Sequence, residues 1–202
     1  MHKPYHHGDL RAALVDVGLR LLAERDVEGV SLREMAREVG VSATSVYRHF
    51  PDKTALMSAL AREGLDQLGT AQREASSNEK GGKASLAATG RAYVRFALAN
   101  PALFRLIFTS SAQLLAAGEV EATRLLRANV AANLPSDADF ETIKADSLRA
   151  WALVHGLAML MLDGQLPPDG SLIDSLLQGG GDPAGSLHSP RCNSIRPVRN
   201  DG

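Results

Sequence analysis

A short stretch in the first quarter of the chain carries side chains suited to contacting another molecule. At about 100° per residue, Thr44, Ser45 and Arg48 fall on one arc of a helix, and Tyr47 and His49 flank that arc. Each of these side chains offers a hydrogen-bond donor, an acceptor or a cation. Such a face fits the base edges and phosphates of a nucleic-acid groove. The simpler interpretation is a solvated polar face on a small helical bundle.

The opposite side of the same stretch is apolar and predicts a helix with one buried face. Val46 and Phe50 fall together on that side, and Ala43 lies close beside them. Ser42 stands just before the stretch, where a hydroxyl can accept a hydrogen bond from the first turn of a helix. We therefore predict a short helix over residues 43–49 that presents its polar arc outward.

A second helix is predicted immediately upstream. Ser31 and Glu34 have the S-x-x-E spacing of a capping box, which favours a helix start at that point. The apolar residues that follow recur at i, i+3, i+4 and i+7, as on one helix face: Leu32, Met35, Ala36 and Val39. Gly40 can end this helix in the left-handed conformation. Two short helices joined in this way form a helix-turn-helix, whose second helix enters the DNA major groove.

A further helix is predicted to begin directly behind these two, at Pro51-Asp52-Lys53, with Asp52 as its cap. Lys53 then lies in the first turn, where the backbone N–H groups and the helix dipole favour an anion. A cation there is unfavourable for the helix unless a phosphate is its partner. A solvated surface lysine is the alternative interpretation.

The stretch from residue 30 to residue 60 resembles the DNA-binding region of the TetR family of transcriptional regulators. The opening segment 5–11 is also similar to the start of many members. The residues that carry the main resemblance are Val30, Leu32, Ala36, Gly40, Val41, Ser42, Tyr47, Arg48, His49, Phe50, Lys53 and Leu56.

The resemblance implies a role in DNA contact for particular positions. Lys53, Tyr47 and His49 match positions that grip the DNA backbone. Thr44, Ser45 and Arg48 match positions that approach bases, as does Arg33 on the preceding helix. Ala43 can offer only an apolar contact, such as one to a thymine methyl. The candidate DNA-binding residues are Arg33, Ser42, Ala43, Thr44, Ser45, Tyr47, Arg48, His49 and Lys53.

The rest of the chain is similar, at scattered positions, to the regulatory domain of one TetR subgroup. The matching residues are Tyr93, Phe96, Ala97, Asn100 and Pro101, and then Trp151, His155, Gly156 and Leu157. The resemblance implies a homodimer formed through helices near residues 139–163 and 170–178, where Gly156 would permit close approach. It also implies an effector pocket, for which the candidate residues are Phe96, Phe104, Phe108, Trp151, His155 and Met159. Residues of this kind at helical spacing are also typical of plain core, and a hydrogen-bonded core histidine is the alternative for His155.

Composition is typical of an all-α protein, rich in Ala and Leu and poor in aromatic residues. We expect a small three-helix helix-turn-helix domain over residues 1–55 with an arm at 1–8, followed by a larger helical ligand-binding and dimerisation domain over 56–178. Residues 179–202 are predicted to be a disordered tail, because Gly, Pro and Ser make up 11 of its 24 residues.

Charge, cysteine count and hydropathy narrow the class of protein. The chain of 202 residues has a formal net charge of −1, so a neutral binding domain would need its cations gathered on one face. The single Cys192 allows no intrachain disulfide. The apolar stretch 150–162 is too short to span a bilayer and no signal-peptide pattern opens the chain, so we expect a cytoplasmic protein without membrane contact. No cofactor or metal is expected, because His2, His6 and His7 lack further ligands at suitable spacing.

Three functions are compatible with these observations. The first is a homodimeric repressor that a small apolar effector releases from a near-palindromic operator. The second is a DNA-binding protein of regulatory or architectural type that needs no ligand. The third is a helical-bundle enzyme using His155, which we discount because no Glu-x-x-His pair and no nucleophile motif accompany it. No catalytic residue is therefore predicted.

Overall fold

The computed structural model describes residues 10–109 and 121–178. These ranges contain the helices α1 Leu10–Glu24, α2 Leu32–Val39, α3 Ala43–His49, α4 Lys53–Ser77, α5 Gly82–Ala99, α6 Pro101–Thr109, α7 Glu121–Ala131, α8 Phe140–Leu162 and α9 Gly170–Gln178. No strand occurs among the described residues, which confirms the predicted all-α class. The predicted arm 1–8 and the predicted tail 179–202 lie outside these ranges.

The turn between α2 and α3 follows the prediction for a helix-turn-helix. Gly40 has φ 78° and ψ 32°, the left-handed conformation that a residue with a Cβ adopts only at a cost. The N–H groups of Gly40 and Val41 both donate to the carbonyl of Ala36, at 3.0 and 2.9 Å. Ser42 then caps α3, since its Oγ accepts from the N–H of Ser45 at 3.2 Å. The turn therefore satisfies its own backbone groups and fixes where α3 begins.

The capping box predicted at Ser31 and Glu34 is wrong. The helix does begin at Leu32, but the Ser31 side chain makes no capping hydrogen bond. Glu34 instead accepts two hydrogen bonds from Arg25, at 2.9 and 3.1 Å. A bidentate guanidinium–carboxylate pair is stronger than a neutral backbone contact, so the carboxylate turns toward the end of α1.

One hydrophobic core holds the first four helices together. Met35, Val46 and Leu60 are completely buried, and Phe50 is 1% exposed. Helix α1 packs on both α2 and α4, while α2 packs on α3. Helix α3 is therefore held by its inner face, as the period of Val46 and Phe50 predicts.

Helix α4 joins the two parts of the chain. Asp52 caps it as predicted, with its Oδ1 accepting from the N–H of Ala55 at 2.7 Å. The proposed domain boundary between residues 55 and 56 falls in the first turn of this helix. At 25 residues α4 is roughly 37 Å long. One continuous helix thus belongs to both parts.

The larger part is a bundle in which α5 lies against α4, α6, α7, α8 and α9. Helix α6 also packs on α1 and α4, so it touches both the first core and the bundle. The α4–α6 contact is tight at Gly64, where a Cβ would lie 2.8 Å from Leu103 Cδ1. None of the described helices has the length and apolar character needed to cross a membrane.

The last helix spans Gly170–Gln178, the range near which the sequence analysis expects a helix. Asp169 supplies its start, because its Oδ1 accepts from the N–H of Ser171 at 2.8 Å. Ile173 is 3% exposed, and a Cβ on Gly90 of α5 would lie 3.0 Å from Leu177 Cδ1. Helix α9 is therefore packed closely on α5.

The close approach of α4 and α6 yields a stability prediction. Gly64→Ala should unfold more readily than Gly69→Ala, by about 1–3 kcal/mol, because the new methyl at position 64 overpacks the contact with Leu103. A Cβ at Gly69 on the same helix meets its nearest neighbour only at 3.5 Å, so both variants share the gain in helix propensity and differ in packing. Chemical denaturation of the two variants measures the difference. Equal stabilities would show that the α4–α6 contact is loose.

Candidate nucleic-acid interface

Helix α3 presents a polar outer surface. Thr44, Arg48 and His49 are exposed, and Tyr47 is 43% exposed. Ser45 is half-buried, with its Oγ 2.9 Å from that of Ser42. The cap therefore engages one of the predicted base-contacting hydroxyls, and the other side chains of the arc stand free in solvent.

An open groove separates α2 from the start of α3. It has a volume of about 520 Å³. The groove is lined by Ser31, Arg33, Glu34, Ala36, Arg37, Val41 and Ala43. Two predicted DNA-binding residues, Arg33 and Ala43, thus lie on the same depression. Two guanidinium groups at its edge make it suited to an anion such as a phosphate.

The pattern of ion pairs explains how a domain of balanced charge can present a positive face. Arg20 pairs with Glu38 and, at 3.8 Å, with Glu24, while Arg25 pairs with Glu34. Beside α3, the arginines Arg33, Arg37 and Arg48 form no ion pair with another described residue. Glu24, Glu34 and Glu38 are each paired with Arg20 or Arg25, so these acids do not take up the charge of Arg33, Arg37 and Arg48, which stays available to a ligand beside α3.

The carboxylate of Glu34 illustrates this arrangement. The hydrogen bonds from Arg25 lower the pKa of Glu34, and the charge of Arg37 lowers it further. Glu34 is therefore held in its ionised form and bound to a neighbouring cation. It is placed on the groove wall, but its charge is already compensated there by Arg25.

Lys53 has a partner within the protein. Its Nζ donates to the carbonyl oxygen of Glu28 at 3.1 Å, which ties the start of α4 to the α1–α2 loop. An ammonium group carries three N–H donors, so two remain for another acceptor. The side chain is exposed, and the proposed phosphate contact is compatible with this hydrogen bond.

Aromatic rings from α5, α6 and α8 form a cluster in the larger part of the molecule, which we call the ring cluster: Tyr93, Phe104, Phe108, Trp151 and His155. Phe104 lies 4.8 Å from Phe108 between ring centroids, and Phe108 lies 4.6 Å from His155. Trp151 lies 6.3 Å from Phe108. The cluster thus contains four of the six candidate effector residues. The other two lie one turn farther along their helices, Phe96 buried on α5 and Met159 half-buried on α8.

Hydrogen bonds within the ring cluster favour one tautomer of His155. The indole N–H of Trp151 donates to Tyr93 Oη at 3.2 Å, and Tyr93 Oη lies 2.9 Å from His155 Nδ1. Because indole can only donate, the Tyr93 hydroxyl accepts from Trp151, and its own O–H is left to donate to His155 Nδ1. In this arrangement His155 is neutral with its proton on Nε2. Burial lowers the pKa of His155 and raises that of Tyr93, so both groups favour the neutral forms that this network needs.

Comparison with known proteins agrees with both parts of the structure. Residues 14–60 match the family model of bacterial regulatory proteins of the tetR family. Residues 86–179 match that of the tetracyclin repressor-like C-terminal domain. The chain belongs to the TetR family of transcriptional regulators.

Three individual proteins are similar to this chain in structure or in sequence. A protein of unknown function from Rhodococcus sp. RHA1 superposes with a TM-score of 0.71 at 33% identity, over 88% of this chain and 94% of that one. A TetR family regulator from Marinobacter aquaeolei VT8 superposes with a TM-score of 0.61 at 21% identity, over 84% and 92% of the two chains, and supports the fold alone. An uncharacterized HTH-type transcriptional regulator from Haemophilus influenzae is 33% identical over 102 residues, which is 50% of each protein.

The structure adds residues of this TetR-family chain that the sequence analysis missed. Arg37 lines the groove with Arg33, and the spacing i, i+4 on one helix could have indicated it. Arg11 places its guanidinium 5.3 Å from the ring centroid of Phe50, a cation–π contact between α1 and the end of α3. Tyr93 joins Trp151 to His155, although these residues are 58 and 62 positions away in the sequence. No local pattern reveals such partners.

The charge pattern around α3 predicts unequal roles for two exposed arginines. Arg37→Ala should weaken DNA binding by about 1 kcal/mol and reduce the dependence of log K on log salt by about 1, because it removes one phosphate contact. Arg20→Ala is the matched control, since Arg20 is already paired with Glu38 and should leave DNA affinity nearly unchanged. Titration of both variants with a duplex at several salt concentrations tests this. Equal losses in the two variants would contradict it.

Proposed function

We propose that this TetR-family regulator is a homodimeric repressor that binds a near-palindromic operator through α3 and leaves it when a small effector binds the larger part. The observation that carries the DNA-binding role is the set of unpaired arginines Arg33, Arg37 and Arg48 around the exposed face of α3. Three acids of this region, Glu24, Glu34 and Glu38, are paired with Arg20 or Arg25, which leaves Arg33, Arg37 and Arg48 available to a ligand. That arrangement is suited to a polyanion.

The proposed contacts divide by the chemistry of each side chain. Arg48 and Arg33 can present two parallel N–H donors to a guanine edge, and Thr44 and Ser45 can reach bases as donor or acceptor. Tyr47, His49 and Lys53 would hold the phosphates on either side of α3, with Arg37 as a further phosphate ligand. Ser42 would act through its cap of α3, and Ala43 would leave room for a thymine methyl.

The dimer is supported by the outer side of α8. Leu148 is 59% exposed, Leu153 43% and Leu160 45%, and Trp151 is also exposed. Exposed apolar surface of this extent on one helix is common at interfaces between subunits. A Cβ on Gly156 would meet nothing within 4 Å, so the backbone of α8 is accessible to a second helix. On α9, Leu176 is also 40% exposed. Two copies joined here would offer their α3 helices to successive major grooves, about 34 Å apart.

Release by an effector is supported by the position of α6. This helix contributes Phe104 and Phe108 to the ring cluster and also packs on α1 and α4. A molecule that displaced these rings would move α6 against the helices that carry the DNA-binding face. The operator affinity would fall by the difference in effector affinity between the two arrangements.

A ligand-independent regulator is the second candidate. It is favoured by the tight packing of the ring cluster, in which Phe104 is completely buried and Tyr93 is 4% exposed. A solid core at this point would leave the effector no site among these rings. Calorimetric titration of the protein–DNA complex with apolar compounds separates the candidates, because only the first predicts release.

The role of α3 is tested by two substitutions on its outer face. Tyr47→Ala should weaken binding to every duplex, whereas Arg48→Ala should also relax base preference, each by about 1–3 kcal/mol. Affinities are measured for a duplex that the native protein selects from random sequence and for a scrambled duplex. Glu24→Ala on α1 is the control and should change neither affinity. If both α3 variants bind the selected duplex with the affinity of the native protein, α3 is not the DNA-recognition helix.

The dimer is tested on α8. Leu160→Glu should shift the protein from dimer to monomer in sedimentation equilibrium, because a charge buried between two copies has no partner. Arg62→Glu, an exposed charge reversal on α4, is the control and should stay dimeric. A native protein that sediments as a monomer, or an unchanged Leu160→Glu dimer, would contradict the proposed interface.

A further inference from the structure

A buried polar cluster lies where α4, α5 and α7 meet, outside the ring cluster. Gln72 Nε2 donates to the carbonyl oxygen of Thr89 at 3.4 Å. The hydroxyls of Ser76 and Ser85 are hydrogen-bonded to each other, and Ser85 Oγ donates to Asn129 Oδ1 at 3.2 Å. Gln72 is 7% exposed, and Ser85 and Thr89 are 3% exposed. We call these five residues the polar cluster.

Two atoms of the polar cluster have no hydrogen-bond partner although they are buried. They are the acceptor Gln72 Oε1 and the donor Asn129 Nδ2. A buried polar atom without a partner is unfavourable and is rare in folded proteins. Exchanging the amide O and N positions of either side chain does not remove the problem, because one atom of each amide would still lack a partner. The cluster therefore holds one unused acceptor and one unused donor.

The chemistry of the polar cluster is neutral throughout. Its members are amides and hydroxyls. Two arginines on α4 and α5 already have partners, with Arg73 paired to Glu121 and Arg91 paired to Glu79 and Asp174. A charged ligand group would gain no counter-ion here and would lose its hydration. The cluster thus favours an uncharged group that both donates and accepts.

The polar cluster continues along α5 into the ring cluster. Ser85, Thr89 and Tyr93 follow one another at i, i+4 and i+8, so they share one face of the helix over roughly 12 Å. Tyr93 is the residue of α5 that contacts Phe104 and Phe108. The same face therefore offers hydrogen-bonding groups at one end and aromatic rings at the other.

We propose that the polar cluster binds a neutral carboxamide head group of the effector, whose apolar remainder extends along α5 toward Tyr93. The amide N–H of the ligand would donate to Gln72 Oε1, and its carbonyl would accept from Asn129 Nδ2. This assignment rests on the proposed effector-released repressor and adds the chemical class of the effector. It differs from the purely apolar pocket that the sequence predicts, because affinity and selectivity come from two buried amides.

The test uses the full chain and a pair of compounds that differ only in the head group, 4-phenylbutanamide and 4-phenylbutanoate. Isothermal titration should give tighter binding of the amide, by about tenfold or more, since the carboxylate brings an unpaired charge and no donor. Gln72→Met should abolish this preference. Gln67→Met is the control, because Gln67 lies more than one turn earlier and on another face of α4, and this variant should retain the preference for the amide. The assignment is overturned if the native protein fails to bind the amide, binds both compounds equally, or keeps its preference in Gln72→Met.

A second measurement does not depend on the probe. Without a ligand, Gln72→Met should have a melting temperature close to that of the native protein, because it removes an unpaired acceptor together with one long hydrogen bond to the Thr89 carbonyl. A large fall in the melting temperature would mean that the Gln72 amide serves the fold itself, and the assignment would be wrong. DNA binding by the same preparations is measured in parallel. If the native protein binds the operator but does not prefer the amide, only the proposed effector class is refuted. If the native protein does not bind the operator, the proposed function itself is refuted.

Discussion

The orientation of the DNA-binding face depends on the burial of two side chains. Val46 and Phe50 are held in the core of the first four helices, and every exposed group of α3 takes its direction from them. The turn at Gly40 sets where α3 starts, while the buried pair sets which way it faces. The ion pairs of Arg20 and Arg25 then remove acidic charge from the neighbourhood. The packing of Val46 and Phe50 thus decides which side chains of α3 are exposed, and the ion pairs then affect the charge around that exposed face.

The elements of the first part could be predicted because their signals are local. The period of the apolar residues gave α2 and α3, and Gly40 and Ser42 marked the turn. The capping box predicted at Ser31 and Glu34 does not form, and the reason is physical. A sequence motif shows which groups could form a hydrogen bond, but it does not show whether another residue binds one of them more strongly. Arg25 is that residue, and it reaches Glu34 only once α1 and α2 are packed. The same holds for Lys53, whose partner Glu28 is distant in sequence.

For the larger part the sequence predicts a helical bundle with an aromatic core. It does not predict that the bundle contains a ring cluster and a separate polar cluster. Periodicity places Phe104 and His155 on inward faces, and it is silent about Tyr93 standing between Trp151 and His155. The polar residues 72, 76, 85 and 89 recur at i, i+4 on two successive helices, a pattern that could have indicated facing polar surfaces. Their burial, however, depends on how α4, α5 and α7 pack together. Burial of that kind is a property of the assembled bundle.

Helix α4 has a mechanical consequence. Its N-terminal turn is packed with the DNA-binding helices, and its C-terminal half lies against α5 and α7. A rigid rod roughly 37 Å long that pivots by about 5° at one end carries its other end through about 3 Å. That displacement is close to the 3.4 Å rise between neighbouring base pairs. In the proposed dimer the two rods would swing in opposite directions and change the distance between the two α3 helices by twice that amount. A small tilt of α4 in the bundle would then move α3 out of register with the bases of the proposed operator.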